Sequence, residues 1–171
     1  MIGTAEDMVL TPSGMRFRGA RLPFTAGRGG IVRAKREGDG GTPVGVHRIV
    51  GCLYRADRIA RPCDWAVPVG PGDLWSDDPA RDDYNTMVRA PYGGSAERLA
   101  RGDRLYDMVL VTDWNWPDAV AGRGSAIFVH RWRGPGRATE GCIGLHPAHL
   151  AWVVPRITYA TRLIVPEGLA A

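Results

Sequence analysis

Cysteine is scarce in this chain and falls into no metal-binding or redox pattern. The 171 residues hold three cysteines, and neither a C-x-x-C pair nor an H-E-x-x-H motif occurs. Such patterns make up many zinc sites and dithiol redox centres, so we expect no metal site and no cofactor. An odd number of cysteines leaves at least one thiol unpaired. Cys52 and Cys63 could form a disulfide in an oxidising compartment, or all three thiols, Cys142 included, could be reduced.

Long apolar runs and a signal peptide are missing as well. No run approaches the roughly 18–20 apolar residues that a membrane-spanning helix needs, and residues 1–10 have neither a basic start nor an apolar middle region. We therefore expect no membrane span, and the sequence shows no export signal. Repeats and low-complexity linkers are also absent. With 44% apolar residues, a chain of this length predicts a single domain over residues 1–171.

The chain has no concentrated patch of one charge. Its formal net charge is +4, and the basic residues are dispersed along the sequence. No cluster resembles a recognition helix or a ribonucleoprotein motif, so we expect no nucleic-acid partner. A mildly cationic surface would equally suit a polymer that carries free carboxylates.

Short strands dominate the pattern that is present. The 23 glycines and 13 prolines separate brief stretches that alternate apolar with polar residues or are β-branched, as half-buried strands do. Two segments favour helix: 94–100, with a serine cap, and 146–154, which starts near Pro147. The pattern predicts a mainly β sandwich or distorted barrel with a few short helices. The predicted strands are 8–10, 14–18, 30–34, 46–50, 108–112, 126–129 and 161–165.

The most distinctive segment, residues 127–143, contains a histidine and a cysteine. His130 follows the apolar run 125–129, which predicts a buried strand that ends at the histidine. Cys142 follows Gly141 after a loop rich in glycine, proline and arginine. This separation allows the chain to turn and return antiparallel, which would bring both side chains to one end of a sheet.

This pair could form a nucleophile and its base. A free thiol has a pKa near ~8.5 and is little ionised at neutral pH, so a nucleophilic Cys142 needs a base or a positive field. His130 could be the base, and the loop arginines would favour the thiolate. Gly141 can adopt a positive φ and leave its amide free to bind an oxyanion. The alternative is an inert, buried Cys142 and a hydrogen-bonded His130 at a strand end.

Two segments carry a family resemblance. Residues 139–143, Thr-Glu-Gly-Cys-Ile, with a histidine upstream, resemble the Ser/Thr-x-Gly-Cys signature of the L,D-transpeptidases, the YkuD-type catalytic domain. Residues 35–47, in which Thr-Pro-Val-Gly precedes an apolar strand, resemble a second segment of that family. The two matches are in order and span most of the chain. The resemblance implies a YkuD-like β-sandwich and acyl transfer on peptidoglycan stem peptides.

The resemblance also assigns roles to the residues. In this family a cysteine attacks the carbonyl of an L-residue that precedes a D-residue, expels the D-amino acid and forms a thioester, which an amine then resolves. Cys142 would be the nucleophile and His130 the general base and later the acid. The Arg131 carbonyl would orient the imidazole, and the amides of Gly141 and Cys142 would bind the oxyanion. Acylation of Cys142 by carbapenems is implied as well.

The chain departs from the family near the cysteine. Glu140 stands where many members have a second histidine, and Gly144 stands where many have arginine or asparagine. The loop between His130 and Cys142 is shorter than in many family members and contains bulky and cationic side chains. Arginine side chains bind carboxylates well, such as those of a stem peptide. Tyr84, within a segment similar to the Asp-x-x-Tyr-Asn stretch of small members, could bind substrate or be a core residue with a satisfied hydroxyl. The expected substrate contacts are Tyr84, Trp132, Arg137, Thr139 and Glu140.

Three functional hypotheses follow. The first is a peptidoglycan L,D-transpeptidase, and the second is an L,D-carboxypeptidase or amidase in which water resolves the same thioester. The third is a wall-binding domain with an inert Cys142, whose markers would be a thiol unreactive towards iodoacetamide and a buried His130. Peptidoglycan lies outside the cytoplasmic membrane, so we expect the periplasm or cell envelope, reached after loss of a leader or by an atypical route. A chain that meets precursors inside the cell is the alternative.

Overall fold

Short strands are the main regular secondary structure of the computed structural model, which describes residues 3–170. Within this range the chain has fifteen strands and one α-helix, α1, at Pro147–Val153. Two 3₁₀ turns follow, at Val154–Arg156 and Glu167–Leu169. The strands are β1 Met8–Thr11, β2 Gly14–Phe17, β3 Ala20–Leu22, β4 Phe24–Thr25, β5 Ile31–Val32, β6 Thr42–Pro43, β7 Gly45–Tyr54, β8 Val67–Pro68, β9 Asp73–Ser76, β10 Met87–Arg89, β11 Ala96–Arg98, β12 Met108–Thr112, β13 Phe128–Arg131, β14 Ile143–Leu145 and β15 Arg162–Val165.

One large sheet curls until it nearly closes into a barrel. Its strand order is β3-β2-β1-β15-β7-β12-β13-β14-β4, with β8 beside β7. The two edge strands β3 and β4 are separated in sequence only by Pro23, so the edges of the sheet meet at that residue. The mainly β fold and its distorted barrel are thereby confirmed. The predicted single domain also includes residues 1, 2 and 171, which lie outside the described residues.

The two faces of this sheet pack against different groups of side chains. Val129 and Ile143 point to the larger apolar core, which helix α1 covers with Leu150 and Val153. Phe128 and Cys142 point to the opposite face, towards a second cluster with Trp75 and Tyr106. Since side chains alternate along a strand, His130 faces the same side as Phe128. The candidate catalytic residues therefore lie on the face with the smaller core.

Strands β13 and β14 pair in parallel, which corrects the expected antiparallel return. Val129 aligns with Ile143, and His130 aligns with Gly144. A parallel pair requires a connection of roughly a dozen residues that runs back along the sheet, and the loop 132–142 makes that return. Thr139 attaches this loop to the segment after β4, because its amide donates to the Ala26 carbonyl at 2.9 Å.

Two local predictions differ from the structure. Ala126 has a φ of 51°, which interrupts the extended backbone, so β13 begins at Phe128 and His130 lies inside the strand rather than at its end. The predicted helix 94–100 is wrong, because Ala96–Arg98 is strand β11 and pairs with β9. A seven-residue helix is marginal without tertiary contacts, and here pairing with a neighbouring strand determines the structure.

The C-terminal helix prediction is confirmed. Pro147 is the first residue of α1, and the His146 side chain caps the helix by accepting from the Ala148 amide at 3.2 Å. The ring of His149 packs against that of His146 at 5.1 Å. Helix α1 is far too short to cross a bilayer, and residues 3–170 contain no other helix that is long and apolar enough to do so.

Candidate active site

A cavity of about 340 Å³ opens on the sheet face that carries His130 and Cys142. Strand β13, strand β11 and the loop 132–142 all contribute to its walls. Both candidate catalytic residues belong to its lining. The lining residues are Glu37, Asp77, Glu97, Arg101, Leu105, Tyr106, Ser125, Ala126, His130, Arg133, Arg137, Ala138, Thr139, Glu140 and Cys142.

The Cys142 thiol is buried and held by backbone groups. Its side chain lies in the second core cluster, and the residue is 8% exposed. The thiol donates to the Ala126 carbonyl at 3.1 Å, and its sulfur accepts from the Phe128 amide at 3.4 Å. Burial raises the pKa of the Cys142 thiol to about 12, and the nearby Glu97 carboxylate adds to this rise. The thiol is therefore protonated at neutral pH.

The His130 imidazole is neutral and has a fixed orientation. Its Nδ1 lies 2.7 Å from the Arg131 carbonyl, the partner that the family resemblance suggested. A carbonyl only accepts, so Nδ1 carries the proton and Nε2 has a free lone pair. Burial lowers the pKa of His130 to about 4. Nε2 can therefore accept a proton throughout the neutral pH range.

The parallel register brings these two side chains to neighbouring positions. Cys142 directly precedes Ile143, which aligns with Val129, so Cys142 lies beside Phe128 on the adjacent strand. His130 is two residues further along β13 and faces the same side. Among the described residues, the thiol hydrogen bonds go to Ala126 and Phe128 and not to the imidazole. At rest the two groups are diagonal neighbours, both uncharged.

Gly141 provides the tight backbone before the cysteine. Its φ of 137° confirms the expected positive φ, and a Cβ there would lie 2.9 Å from the Gly41 carbonyl oxygen. Its amide is not free, however. It donates to Thr139 Oγ1 at 3.2 Å, because Thr139 folds its hydroxyl back to donate to the Cys142 carbonyl at 2.6 Å. In this structure the Gly141 amide is thus occupied, whereas the Cys142 amide remains the candidate oxyanion donor.

Thr42 connects the two segments that carried the family resemblance. Its hydroxyl donates to the Gly141 carbonyl at 2.7 Å and accepts from the Gly27 amide at 2.9 Å. The residue is completely buried. The Thr-Pro segment thus fixes the backbone of the Gly-Cys segment, although the two lie about a hundred positions apart in sequence. The family resemblance included the Thr-Pro segment, but the sequence alone predicted no role for Thr42.

The structure divides the predicted substrate contacts into two groups. Arg137, Thr139 and Glu140 line the cavity, and Glu140 also pairs with Arg28 at 2.7 Å. Trp132 lies elsewhere, because its ring packs edge-on against His146 at a centroid distance of 5.7 Å. Tyr84 is also outside the lining and only 3% exposed.

The Tyr84 hydroxyl is already satisfied. It donates to a Glu37 carboxylate oxygen and accepts from the Gly124 amide at 3.0 Å. Burial and the Glu37 charge raise the pKa of Tyr84 well above its ordinary value. Tyr84 therefore occupies the core position that was the alternative to a substrate contact, and Glu37, which it holds, is the group that reaches the cavity.

Charged groups of both signs line the cavity, and most of them were not predicted from the sequence. Glu97 is in β11 and Arg101 follows that strand. A guanidinium nitrogen of Arg101 lies 3.5 Å from a carboxylate oxygen of Glu97. Burial raises the pKa of Glu97, and one carboxylate oxygen of Asp77 is buried without a hydrogen-bond partner. Arg133 and Arg137 belong to the loop. No motif marks Glu97, Arg101 or Tyr106, because tertiary packing alone brings them to the cysteine.

Comparison with known proteins identifies the family of this chain. The sequence model of the YkuD family, the L,D-transpeptidase catalytic domain, matches residues 11–165. The chain belongs to this family. Family members act on peptidoglycan, a polymer of the cell envelope. No curated protein and no solved structure matches the chain. Within residues 3–170, no group of three or more His, Cys, Asp and Glu side chains is placed to hold a metal ion.

Proposed function

We propose that this protein is a peptidoglycan L,D-transpeptidase that acts through a thioester on Cys142. The observation that carries the proposal is a single cavity lined by both His130, in strand β13, and Cys142, the residue just before the parallel neighbour β14. The imidazole has its Nδ1 bound to a carbonyl and its Nε2 available. A rotation of the Cys142 side chain away from the Ala126 carbonyl would bring the thiol to the imidazole, as a nucleophile and its base require. The match of residues 11–165 to the L,D-transpeptidase catalytic domain supports this proposal.

In the first half-reaction the sulfur attacks the carbonyl carbon of an L-residue that precedes a D-residue. The thiol proton passes to Nε2 of His130 as the C–S bond forms, and the carbonyl oxygen becomes an oxyanion. When the intermediate collapses, the C–N bond breaks and His130 returns the proton to the departing amine. The enzyme then carries the stem as a thioester on Cys142.

In the second half-reaction an amine attacks the thioester carbon. The amine belongs to a neighbouring stem peptide or to a D-amino acid. It loses its proton to His130, the C–S bond breaks, and His130 gives the proton back to the sulfur. The thiol and imidazole are both neutral at the start and at the end of the cycle. Their pKa values, about 12 and about 4, are consistent with a proton that moves only while bonds to the sulfur change.

The cavity can accommodate the charges of a stem peptide. Arg133 and Arg137 can pair with free carboxylates, and the half-buried Glu97 and Asp77 can pair with a free ammonium group. The Cys142 amide, at a backbone turn fixed by Thr139, would bind the oxyanion. Because the substrate is part of the cell wall, we propose that the protein works in the cell envelope.

A wall-binding domain is the second candidate, and one observation favours it. His130 is only 6% exposed, as that hypothesis expects. The imidazole nevertheless lines a cavity large enough for a peptide segment. Slow alkylation by iodoacetamide no longer separates the two hypotheses, since a thiol with a pKa near 12 would react slowly in either case. Measured turnover of a peptidoglycan substrate is therefore needed to distinguish the transpeptidase from the wall-binding domain.

The deciding experiment is mass analysis of products from a disaccharide-tetrapeptide muropeptide, with and without excess D-amino acid. We expect cross-linked dimers or exchanged tetrapeptides from the wild-type protein and neither product from the Cys142→Ala variant. Shortened muropeptides alone would identify a hydrolase instead. An unchanged substrate, together with tight binding to isolated cell walls, would favour the binding domain.

A further inference from the structure

The His130 imidazole has a second neighbour besides the Arg131 carbonyl. The ring of Tyr106 packs against it at a centroid distance of 5.1 Å and an interplanar angle of 69°. Tyr106 is 5% exposed and lines the cavity. Tyr106 lies in the turn just before β12, the strand that pairs with β13, and Val109 of β12 aligns with His130. One hydrogen bond and one ring contact together define the position of the imidazole.

Tyr106 is itself held in place by charged groups of the cavity wall. Its hydroxyl donates to Glu97 Oε1 at 2.8 Å, and the Arg101 guanidinium lies 5.1 Å from its ring centroid. Arg101 approaches the same carboxylate oxygen at 3.5 Å. Glu97 is part of β11, which belongs to a separate three-stranded sheet of order β10-β9-β11, so Tyr106 links that sheet to His130 of β13. A buried tyrosine hydroxyl needs a partner in any case. Here that partner is a charged group of the cavity wall, and the ring that it anchors is the one that contacts His130.

We propose that Tyr106 is a positioning residue for His130 and that Glu97 holds Tyr106 in that position. The inference rests on the proposed function, because it concerns the imidazole that would move the thiol proton. A single hydrogen bond at Nδ1 leaves the ring free to rock about the N···O axis. The Tyr106 ring blocks that motion and keeps water from the imidazole. Nε2 therefore stays directed at the position where the thiol proton is transferred.

Three variants separate the ring from the hydroxyl. Tyr106→Leu removes the ring contact, Tyr106→Phe removes only the bond to Glu97, and Glu97→Ala leaves the ring without its anchor. We expect kcat to fall by roughly 100-fold for Tyr106→Leu and by about tenfold or less for the other two, the range seen when groups that orient a functional histidine are lost. KM should change little for the two Tyr106 variants, whereas Glu97→Ala should also raise KM, because Glu97 is a proposed contact of the substrate's ammonium group.

A spectroscopic measurement tests the positioning directly. In ¹⁵N-histidine NMR, assigned with His130→Gln, the wild-type His130 should show one neutral tautomer, protonated at Nδ1, and a low pKa. In Tyr106→Leu, water reaches the ring, so both tautomers should appear and the pKa should rise towards 6.5. The charged groups that act on this imidazole, Arg101, Arg133 and Asp103, are unchanged in that variant. A change in the tautomer ratio would therefore come from hydration and mobility, whereas the pKa of His130 also responds to Arg101, whose guanidinium lies over the Tyr106 ring.

Tyr159→Leu is the matched control. Tyr159 is 62% exposed and packs on Trp65, away from the cavity, so its loss should leave kcat and the His130 spectrum unchanged. If Tyr106→Leu does not fold, Glu97→Ala carries the test, since it retains the core ring. Wild-type kcat and a single tautomer in the tested variant would overturn the inference. An active Cys142→Ala protein would instead overturn the proposed function, and the NMR result would stand separately.

Discussion

Cys52 and Cys142 are two buried thiols on opposite faces of one sheet. Cys52 is fully buried in the larger core, beside Leu110 and in line with Val129. Cys142 is nearly as buried, yet it faces the cavity. Burial raises the pKa of both thiols. Neither burial nor pKa tells the two cysteines apart. The difference lies in what surrounds each sulfur.

The neighbours of Cys52 are apolar side chains and the thiol of Cys63, with which it interacts. Those of Cys142 are backbone groups, a carboxylate, arginines and an imidazole with a free Nε2. Under the proposed function, a peptide in the cavity would meet Cys142 together with a base and charged groups. A thiol with a high pKa can act as a nucleophile when a base is beside it, because the proton leaves during attack.

The largest expected effect comes from exchanging each thiol for a methyl group. Cys142→Ala should abolish turnover of the muropeptide, a loss of at least ~10³-fold, while the protein stays folded. Cys52→Ala should keep full activity and lose about 1 kcal/mol in the free energy of unfolding, because the core loses a sulfur atom. Product analysis and urea denaturation measure the two effects. Normal turnover in Cys142→Ala would remove the distinction between the two faces.

The second effect concerns His130, the proposed base for the Cys142 thiol. His130→Ala should lower kcat/KM by roughly 10²–10⁴-fold at neutral pH, because the thiol proton loses its acceptor. The matched control is His146→Asn, in which asparagine still caps α1. The control should have wild-type kinetics. Equal losses in both variants would mean that histidine loss acts through the fold rather than through proton transfer.

The third effect tests the connection between the Thr-Pro and Gly-Cys segments. Thr42→Val removes two buried hydrogen bonds, to Gly141 and from Gly27. We expect a loss of about 1–3 kcal/mol in the free energy of unfolding and a decrease in kcat of about tenfold as the Cys142 backbone shifts. Thr11→Val is the control, since it removes a hydroxyl bond to Gly14 at the distant β1–β2 turn. It should lower stability alone.

The smallest effect is the response to acid. His130 has a pKa lowered to about 4, so its base form persists and kcat/KM should stay level from about pH 8 to about pH 5. Activity should fall only as the pH passes below the folded pKa. Because unfolded histidine binds a proton near pH 6.5, stability also decreases below that pH, and circular dichroism must show that the protein is folded. An acid limb near pH 6.5 would contradict the buried, neutral imidazole.

Local sequence patterns predicted the parts of this molecule that local physics determines. The β-branched runs predicted β1, β12 and β15, Pro147 predicted the start of α1, and the Gly-Cys pair predicted the positive φ at Gly141. His130 and Cys142 could be named because a nucleophile and its base are rare residue types in a distinctive context. Each of these features depends on few neighbours in the chain.

Sequence reasoning failed where distant contacts decide. The helix predicted over 94–100 is strand β11, since pairing with β9 outweighs weak helical propensity. The parallel register of β13 and β14 depends on how the loop 132–142 is fixed by Thr139 to residues 26–28. Trp132, in the loop before Cys142, and Tyr84, in a distant segment of the chain, both lie outside the cavity lining. Tyr106 reaches His130 only through tertiary folding.

The most direct test of the central claim is the intact mass of the protein after brief incubation with a tetrapeptide donor and no acceptor amine, followed by peptide mapping. We expect one adduct whose mass equals the donor minus its terminal D-amino acid, located on Cys142, with Cys52 and Cys63 unmodified. The adduct should disappear when a D-amino acid is added. No adduct on Cys142 in a sample that still forms cross-linked products, or an adduct on either of the other two cysteines, would contradict the account.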